Sequence, residues 1–176
     1  RNLLLLIQKK IALYSPHTAL DHVIGGVNDW LIDGCGVGEV TFINPSKDQL
    51  SGAGRMLSLN RAVSINTLCK RIKSYLHTPY LRVAPGASNN IRTIACCAGA
   101  GASVLTDVQA DCYLTGEMSH HDVLAAQATG STVILSEHTH TERGFLPLYQ
   151  SIIQKALNAP VELIISTQDK DPLHLK

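Results

Sequence analysis

The sequence predicts an α/β protein with a mostly parallel sheet, helices on the faces of that sheet, and a metal site at the carboxyl ends of its strands. Three observations support this fold class. Short apolar runs alternate with helical periodicity, the connections between them are short, and the most polar motifs directly follow predicted strands. Hydrophobic residues make up 45% and charged residues 16% of the 176 residues, a balance that can bury a core and argues against disorder.

The first half of the chain carries the less regular elements. Its apolar patterns predict a helix over 2–10, strands over 11–14, 56–59 and 80–83, and a helix over 64–76. Turn-forming residues dominate 17–33. A loop rich in Pro, Gly, Ser and Asn at 84–90 is a candidate subdomain boundary within one domain spanning 1–176.

The second half shows the alternation of strand and helix most clearly. Buried strands are predicted over 91–97, 111–115, 132–135 and 161–165. Helices are predicted directly after the turn at 98–103, over 121–129 and over 142–158. Because each strand is joined to the next through a helix, we expect neighbouring strands to be parallel.

Charge and cysteine usage restrict the classes of partner and compartment. The net charge is +1, and the densest basic run, Lys70, Arg71 and Lys73, fits a solvated helix face, so we expect no direct binding to nucleic acid. The apolar residues 3–7 are too few to span a membrane. Five cysteines without a C-x-x-C pair do not form a disulfide framework. We expect a cytoplasmic protein, with the nucleus and mitochondria as alternatives.

The segment 137–143 is the strongest candidate for chemistry. It follows a predicted strand, and His138 and Glu142 are spaced so that an imidazole and a carboxylate lie on one side of a helical turn. This donor pair suits zinc, iron, manganese or nickel. The alternative is an ordinary helix start, with Thr141 as the cap.

Two further motifs follow strands. His17 and Asp21 stand at one strand-to-loop junction, where they either bind an ion or cap a turn. Glu117 and His121 stand at another, where they either support a site as acid or base or begin a helix capped by Ser119. Parallel strands would bring these junctions to one edge of the sheet.

The Gly/Ala-rich turn at 98–103 lies between a predicted strand and a predicted helix. It lacks the Gly-Lys-Ser/Thr of a phosphate-binding P-loop and the third glycine of a dinucleotide fingerprint. Close packing of the backbone near a site is therefore favoured over phosphate binding.

Together these motifs resemble the Nif-three-like family (Ngg-one-interacting factor three-like), whose bacterial YbgI-type members carry the label GTP cyclohydrolase I type 2. The resemblance rests, in order along the chain, on 14–21, 26–31, 52–55, 115–122, 137–144 and 169–173. The amino-acid sequences of the His120–His121 and 141–144 segments most resemble those of the eukaryotic branch.

The resemblance implies a dinuclear metal centre. Asp21, His138 and Glu142 match family ligands, with Glu142 bridging two ions, whereas His140 occupies a variable position. The family also has a His–His pair upstream of the first helix, and this chain begins after it. We therefore expect an N-terminally truncated member that holds two divalent ions or fewer. The resemblance also implies self-association from dimers into a toroidal hexamer.

Two functions follow as expectations. One is metal-dependent hydrolysis, with Glu117 or His121 moving the proton. The cyclohydrolase label gives little support to this expectation, because true cyclohydrolases use a Cys-rich zinc site that this sequence does not reproduce. The alternative is a non-catalytic interaction or scaffold protein, linked to transcriptional regulation through protein partners.

Overall fold

The computed structural model describes residues 2–173, which form a six-stranded sheet with helices on both faces. The strands lie in the order β1-β2-β4-β5-β6-β3. Their bounds are β1 Gly38–Pro45, β2 Gly52–Ser64, β3 Arg82–Ala84, β4 Asn90–Cys97, β5 Cys112–Thr115 and β6 Thr132–Leu135.

Seven α-helices and two single 3-10 turns accompany the sheet in this part of the chain. The helices are α1 Asn2–Gln8, α2 Thr18–His22, α3 Val27–Asp33, α4 Ile65–Leu76, α5 Ala102–Leu105, α6 His120–Ala128 and α7 Leu146–Leu157. The 3-10 turns, Thr139–Thr141 and Arg143–Phe145, lie between β6 and α7. None of the helices from residue 2 to residue 173 has the length and apolar composition needed to cross a bilayer.

The sheet is mixed, which corrects the prediction of a mostly parallel one. β4, β5 and β6 are parallel, whereas β1 pairs with β2, β2 with β4, and β3 with β6 in antiparallel fashion. The short turn at 46–51, closed by hydrogen bonds between Ser46 and Ser51, allows only an antiparallel pair. Parallel pairing needs the long crossovers that α5 and α6 provide.

Two strands predicted from apolar runs are absent. Residues 11–14 and 161–165 carry no strand, and no ladder joins either run to the described sheet. Their apolar side chains, such as Leu13 and Ile164, are mostly exposed. An apolar run becomes a strand only where a neighbour pairs its backbone groups, so the prediction was wrong for both segments.

The core lies on both faces of the sheet. On one face, Leu31 of α3 and Leu68 of α4 pack against Ile94 and Ile134. On the other face, Leu105 of α5 and Ala126 of α6 pack against Ala95 and Val133, which are adjacent in sequence to Ile94 and Ile134. Successive strand residues point to opposite faces, so strands buried on both sides have continuous apolar sequences. Each fully buried aliphatic side chain contributes about 1.5–3 kcal/mol.

Candidate metal centre

The chain between β6 and α7 positions two of the candidate ligands. After β6, Glu137 adopts a left-handed conformation (φ 67°) and its carboxylate lies 3.2 Å from Nε of Arg82. The two 3-10 turns follow, and α7 begins only at Leu146, with Pro147 in its first turn. The helix predicted from residue 142 therefore starts four residues later, because proline is favoured in a first turn and excluded from the interior.

His138 lies between two carboxylates. Its Nδ1 donates a hydrogen bond to Oε1 of Glu117 at 2.5 Å, and its Nε2 is 3.1 Å from Oε1 of Glu142. The hydrogen bond to Glu117 raises the pKa of His138, burial opposes this, and the charge of Glu142 adds to the increase. Each ring nitrogen of His138 therefore faces one carboxylate oxygen.

Gly99 closes the space beside this pair. It has a left-handed φ of +65°, and a Cβ at this position would lie 3.0 Å from both Oε1 of Glu142 and Nε2 of His138. Its backbone N–H donates to Oγ1 of Thr141, which in turn donates to the carbonyl of His138. Close backbone packing, as predicted for the 98–103 turn, is confirmed here, and Thr141 binds this turn instead of capping a helix.

Asp21 lies on α2, at the wall of the same cavity. This cavity has a volume of about 630 Å³ and is also lined by His17, His22, His138 and Glu142. Burial raises the pKa of Asp21, while the charges of His22, His17 and His138 lower it by less. A half-buried carboxylate in a cavity that three imidazoles also line is a chemically suitable third donor for a divalent cation.

Side chains from two elements hold α2 in place. The amide Nδ2 of Asn28 donates to the carbonyl of Asp21 at 2.9 Å, and Nη2 of Arg55 donates to the carbonyl of Val23 at 2.9 Å. Arg55 is 1% exposed and also binds Asp29 through two nitrogens. Neither contact was predicted from the sequence: Arg55 and Val23 are 32 residues apart, and Asn28 and Asp21, although only seven apart, match no local hydrogen-bonding pattern.

The geometry fits a divalent ion in part. Zinc–nitrogen and zinc–oxygen bonds are about 2.0–2.2 Å, so two donors on one ion lie roughly 3 Å apart. His138 Nε2 and Glu142 Oε1 have this separation, and Gly99 leaves the space next to both atoms free of a side chain. Between residues 2 and 173, however, no group of three or more His, Cys, Asp or Glu side chains is arranged to hold an ion.

The predicted site residues therefore separate into two groups. His138, Glu142 and Glu117 are in contact, and Asp21 lines the cavity beside them. His121 lies in the first turn of α6, with its ring 5.9 Å from that of His120, and is not among the residues lining this cavity. Ser119 and Asp122 form the capping box of α6, as the alternative interpretation of that motif predicted.

The fold and this cluster define an α/β protein with a histidine–carboxylate site at the carboxyl ends of its parallel strands. The chain belongs to the Duf34/NIF3 (NGG1p interacting factor 3) family, whose model matches residues 1–172. The family predicted from the sequence motifs is thereby confirmed.

Similar proteins come from eukaryotes, the branch that the motifs indicated. NGG1-interacting factor 3 of Saccharomyces cerevisiae is 40% identical, over 96% of this chain and 63% of the yeast protein. NIF3-like protein 1 of Drosophila melanogaster is 41% identical, over 93% of this chain and 57% of the fly protein. The chain thus spans less than two thirds of the length of either relative.

Solved structures share the fold. A hypothetical protein of Staphylococcus aureus superposes with a TM-score of 0.81 at 23% identity, over 97% of this chain and 71% of that one. A Bacillus cereus protein related to NIF3 gives a TM-score of 0.80 at 16% identity, over 97% of this chain and 75% of that one. At these identities the likeness establishes the architecture alone.

Proposed function

We propose that this chain binds divalent metal ions, with His138 and Glu142 as the central ligands and Asp21 as the third protein donor. One observation carries the proposal. The Nε2 of His138 stands 3.1 Å from a Glu142 oxygen, while its Nδ1 is held by Glu117. A metal-binding histidine characteristically donates its other ring nitrogen to a carboxylate, which fixes the tautomer and the orientation of the ring.

The donor chemistry limits the choice of ion. Imidazole with carboxylates favours zinc, iron, manganese or nickel over calcium or magnesium. Three protein donors would leave coordination positions open for water. A second ion bridged by Glu142, as in the family pattern, would raise the occupancy from one to two per chain.

The cavity beside the ligands supports metal-dependent hydrolysis as the activity. A bound ion there would lower the pKa of its water and polarise a substrate oxygen. About 630 Å³ of space borders His138 and Glu142, enough for a small organic substrate. In this arrangement Glu117 is a positioning residue, since its carboxylate is already engaged with His138. His121 is not among the described residues that line this cavity, so its position gives no support to a role as proton shuttle.

The direct test is the metal content of the purified chain, measured by inductively coupled plasma mass spectrometry. We expect one to two equivalents of a transition metal in the wild type and loss of that metal in His138→Ala/Glu142→Ala. The matched control, His120→Ala/Glu39→Ala, removes the same two side-chain types from positions that do not line the cavity and should keep the metal. An absence of metal from the wild type, even after reloading, would reject the proposal.

Exposed apolar side chains favour self-association as a second function. Seven large apolar side chains between residues 3 and 14 are exposed: Leu3, Leu4, Leu5, Ile7, Ile11, Leu13 and Tyr14. Such a concentration on one segment is typical of a contact surface. We expect light scattering to detect dimers or larger rings, and Leu4→Glu/Ile7→Glu to dissociate them, whereas Lys9→Glu should not. A wild type that stays monomeric would exclude this function.

A further inference from the structure

Asn28 is a buried amide that joins two parts of the candidate site. It stands at the start of α3 and is 0% exposed. Its Nδ2 donates to the carbonyl of Asp21 at 2.9 Å, and its Oδ1 accepts from the backbone N–H of Ala98 at 2.8 Å. One side chain thus connects α2, which carries Asp21, to the turn that follows β4.

The turn at the other end of this bridge contacts the remaining candidate ligands. Gly99, next to Ala98, lies against His138 and Glu142, and its carbonyl accepts the backbone N–H of Glu117 at 3.1 Å. The Ala98–Gly99 turn therefore borders His138 and Glu142, and it is hydrogen-bonded to Glu117, whose carboxylate holds His138. Through its two hydrogen bonds, Asn28 links Asp21 to that same turn.

α2 needs such a connection because it is weakly held by itself. It has five residues, no buried residue, and no side-chain cap at its first turn. A single helical turn is unstable in isolation, since nucleation fixes several dihedral angles for one hydrogen bond. Arg55 ties the end of α2 to β2, but within residues 2–173 the Asn28 amide is the side-chain hydrogen bond that joins α2 to the turn beside His138.

We propose that Asn28 is a positioning residue for the metal centre and that it sets the separation between Asp21 and the His138–Glu142 pair. This inference rests on the proposed metal function. The amide suits this role because it must donate at one end and accept at the other. A carboxylate at this position could still accept from Ala98 but could not donate to the Asp21 carbonyl. An alanine would leave both buried backbone groups unpaired.

The test measures the zinc affinity of the full chain by calorimetry, with zinc ion alone as the probe. We expect Asn28→Ala and Asn28→Asp each to weaken binding by about 10–100-fold, the range found for residues that support metal ligands. Ile32→Ala is the matched control, because it removes a buried side chain from the same helix without touching either bond. It should destabilise the fold and leave the affinity unchanged.

A double-mutant cycle separates positioning from general destabilisation. If Asn28 acts through Asp21, then Asn28→Ala should change the affinity less than about 2-fold in an Asp21→Ala background, because coupled residues are not additive. An equal loss in both backgrounds would overturn the proposal. So would an Asn28→Asp variant that binds zinc as tightly as the wild type.

A readout without metal distinguishes this proposal from the metal function itself. Hydrogen exchange of the apo chain should be faster at 17–23 in Asn28→Ala, with 136–145 unchanged. If the wild type binds no zinc, the metal function fails, and with it the role of Asn28 at a metal centre, whatever the exchange result. If the wild type binds zinc and exchange at 17–23 is unchanged, only the proposal on Asn28 fails.

Discussion

The parallel strands β4, β5 and β6 end beside one another, whereas β1 and β2 form a long antiparallel pair at the other side of the same sheet. Each parallel strand is followed by a loop that reaches the candidate metal centre: Gly99 after β4, Glu117 after β5 and His138 after β6. The antiparallel pair supplies no candidate ligand. The loops that follow parallel strands lie at one edge of the sheet, whereas the loops that follow the two strands of a hairpin lie at opposite edges. The candidate site residues therefore lie beside the parallel strands.

The antiparallel half contributes by holding α2 and α3 against the sheet. Arg55 of β2 donates to Asp29, to the carbonyl of Val23 and to the carbonyls of Gly52 and Gly54. All the donors of a buried guanidinium are satisfied in this way, which removes the main cost of burying its charge. The antiparallel strands β1 and β2 therefore support the candidate site, whereas the loops after the parallel strands β4, β5 and β6 carry its residues.

The largest effect expected in the supporting half is from Arg55→Met. Removing one partner of a buried ion pair typically costs about 3–5 kcal/mol, and the lower end applies because Asp29 is partly exposed. We expect urea unfolding to show a loss of about 3 kcal/mol. Arg61→Met, at an exposed position of the same strand, should stay within roughly 0.5 kcal/mol. Equal losses for the two variants would contradict the assigned role of Arg55.

A matched pair of Val→Thr substitutions compares the packing of the two halves. Val133 of β6 is 0% exposed, whereas Val40 of β1 is 42% exposed. A hydroxyl buried without a partner costs about 1–3 kcal/mol. We expect Val133→Thr to lose roughly 2 kcal/mol in urea unfolding, and Val40→Thr to lose less than about 0.5 kcal/mol. Losses of similar size would mean that the edge strand is as well packed as the central one.

The same contrast explains which strands could be predicted from the sequence. The predicted strands over 91–97, 111–115 and 132–135 agree with β4, β5 and β6 to within one residue. Strands buried on both faces have uninterrupted apolar sequences, which a local pattern can detect. β1 was missed because most of its residues are exposed and its sequence has no clear alternation. The apolar runs at 11–14 and 161–165 misled the prediction, because a strand depends on its neighbour.

As with the strands, the parts of the candidate site that depend on local sequence could be predicted, and the contacts between distant segments could not. His138 and Glu142 were found because their spacing is local, and the structure brings them into contact. The hydrogen bond between Asn28 and Ala98 spans 70 residues of sequence, so no local pattern reports it. Glu117 was noticed as a polar residue after a strand, but its contact with His138 follows from the parallel pairing of β5 and β6.

Two glycines with the same backbone conformation test whether Gly99 matters to the site as well as to the fold. Gly99 has φ +65° and Gly54 of β2 has φ +63°. Alanine in this region costs about 1–2 kcal/mol, so thermal unfolding should show a loss for both substitutions, and a larger one for Gly54→Ala because its Cβ would also stand 2.8 Å from Cγ1 of Val104. Metal content should fall only in Gly99→Ala, because its Cβ would stand 3.0 Å from His138 and Glu142. Loss of metal from Gly54→Ala as well would indicate a general effect of unfolding.

The smallest effect concerns a carboxylate at the opposite end of the parallel strands. Oδ2 of Asp111 accepts the backbone N–H groups of Arg92 and Thr93, each at 2.8 Å. Burial raises the pKa of Asp111, but these hydrogen bonds outweigh burial and hold the pKa below its ordinary value. A lowered pKa stabilises the fold above the ordinary value of about 4, and this contribution is lost as the pH falls through the native pKa.

Asp111→Asn should therefore lower the free energy of unfolding by about 1 kcal/mol at pH 7, a modest value because the carboxylate is partly exposed to solvent. The difference from the wild type should shrink as the pH falls toward 3, since the wild-type carboxyl then becomes neutral like the amide. Asp107→Asn, exposed in the loop before β5, changes the net charge equally and should show no such trend. A constant difference across this pH range would mean that Asp111 acts through its shape alone. A difference in unfolding free energy that disappears toward pH 3 would show that the charge of Asp111 holds the amino ends of β4 and β5 together. These ends lie opposite the edge where the metal-binding residues are proposed.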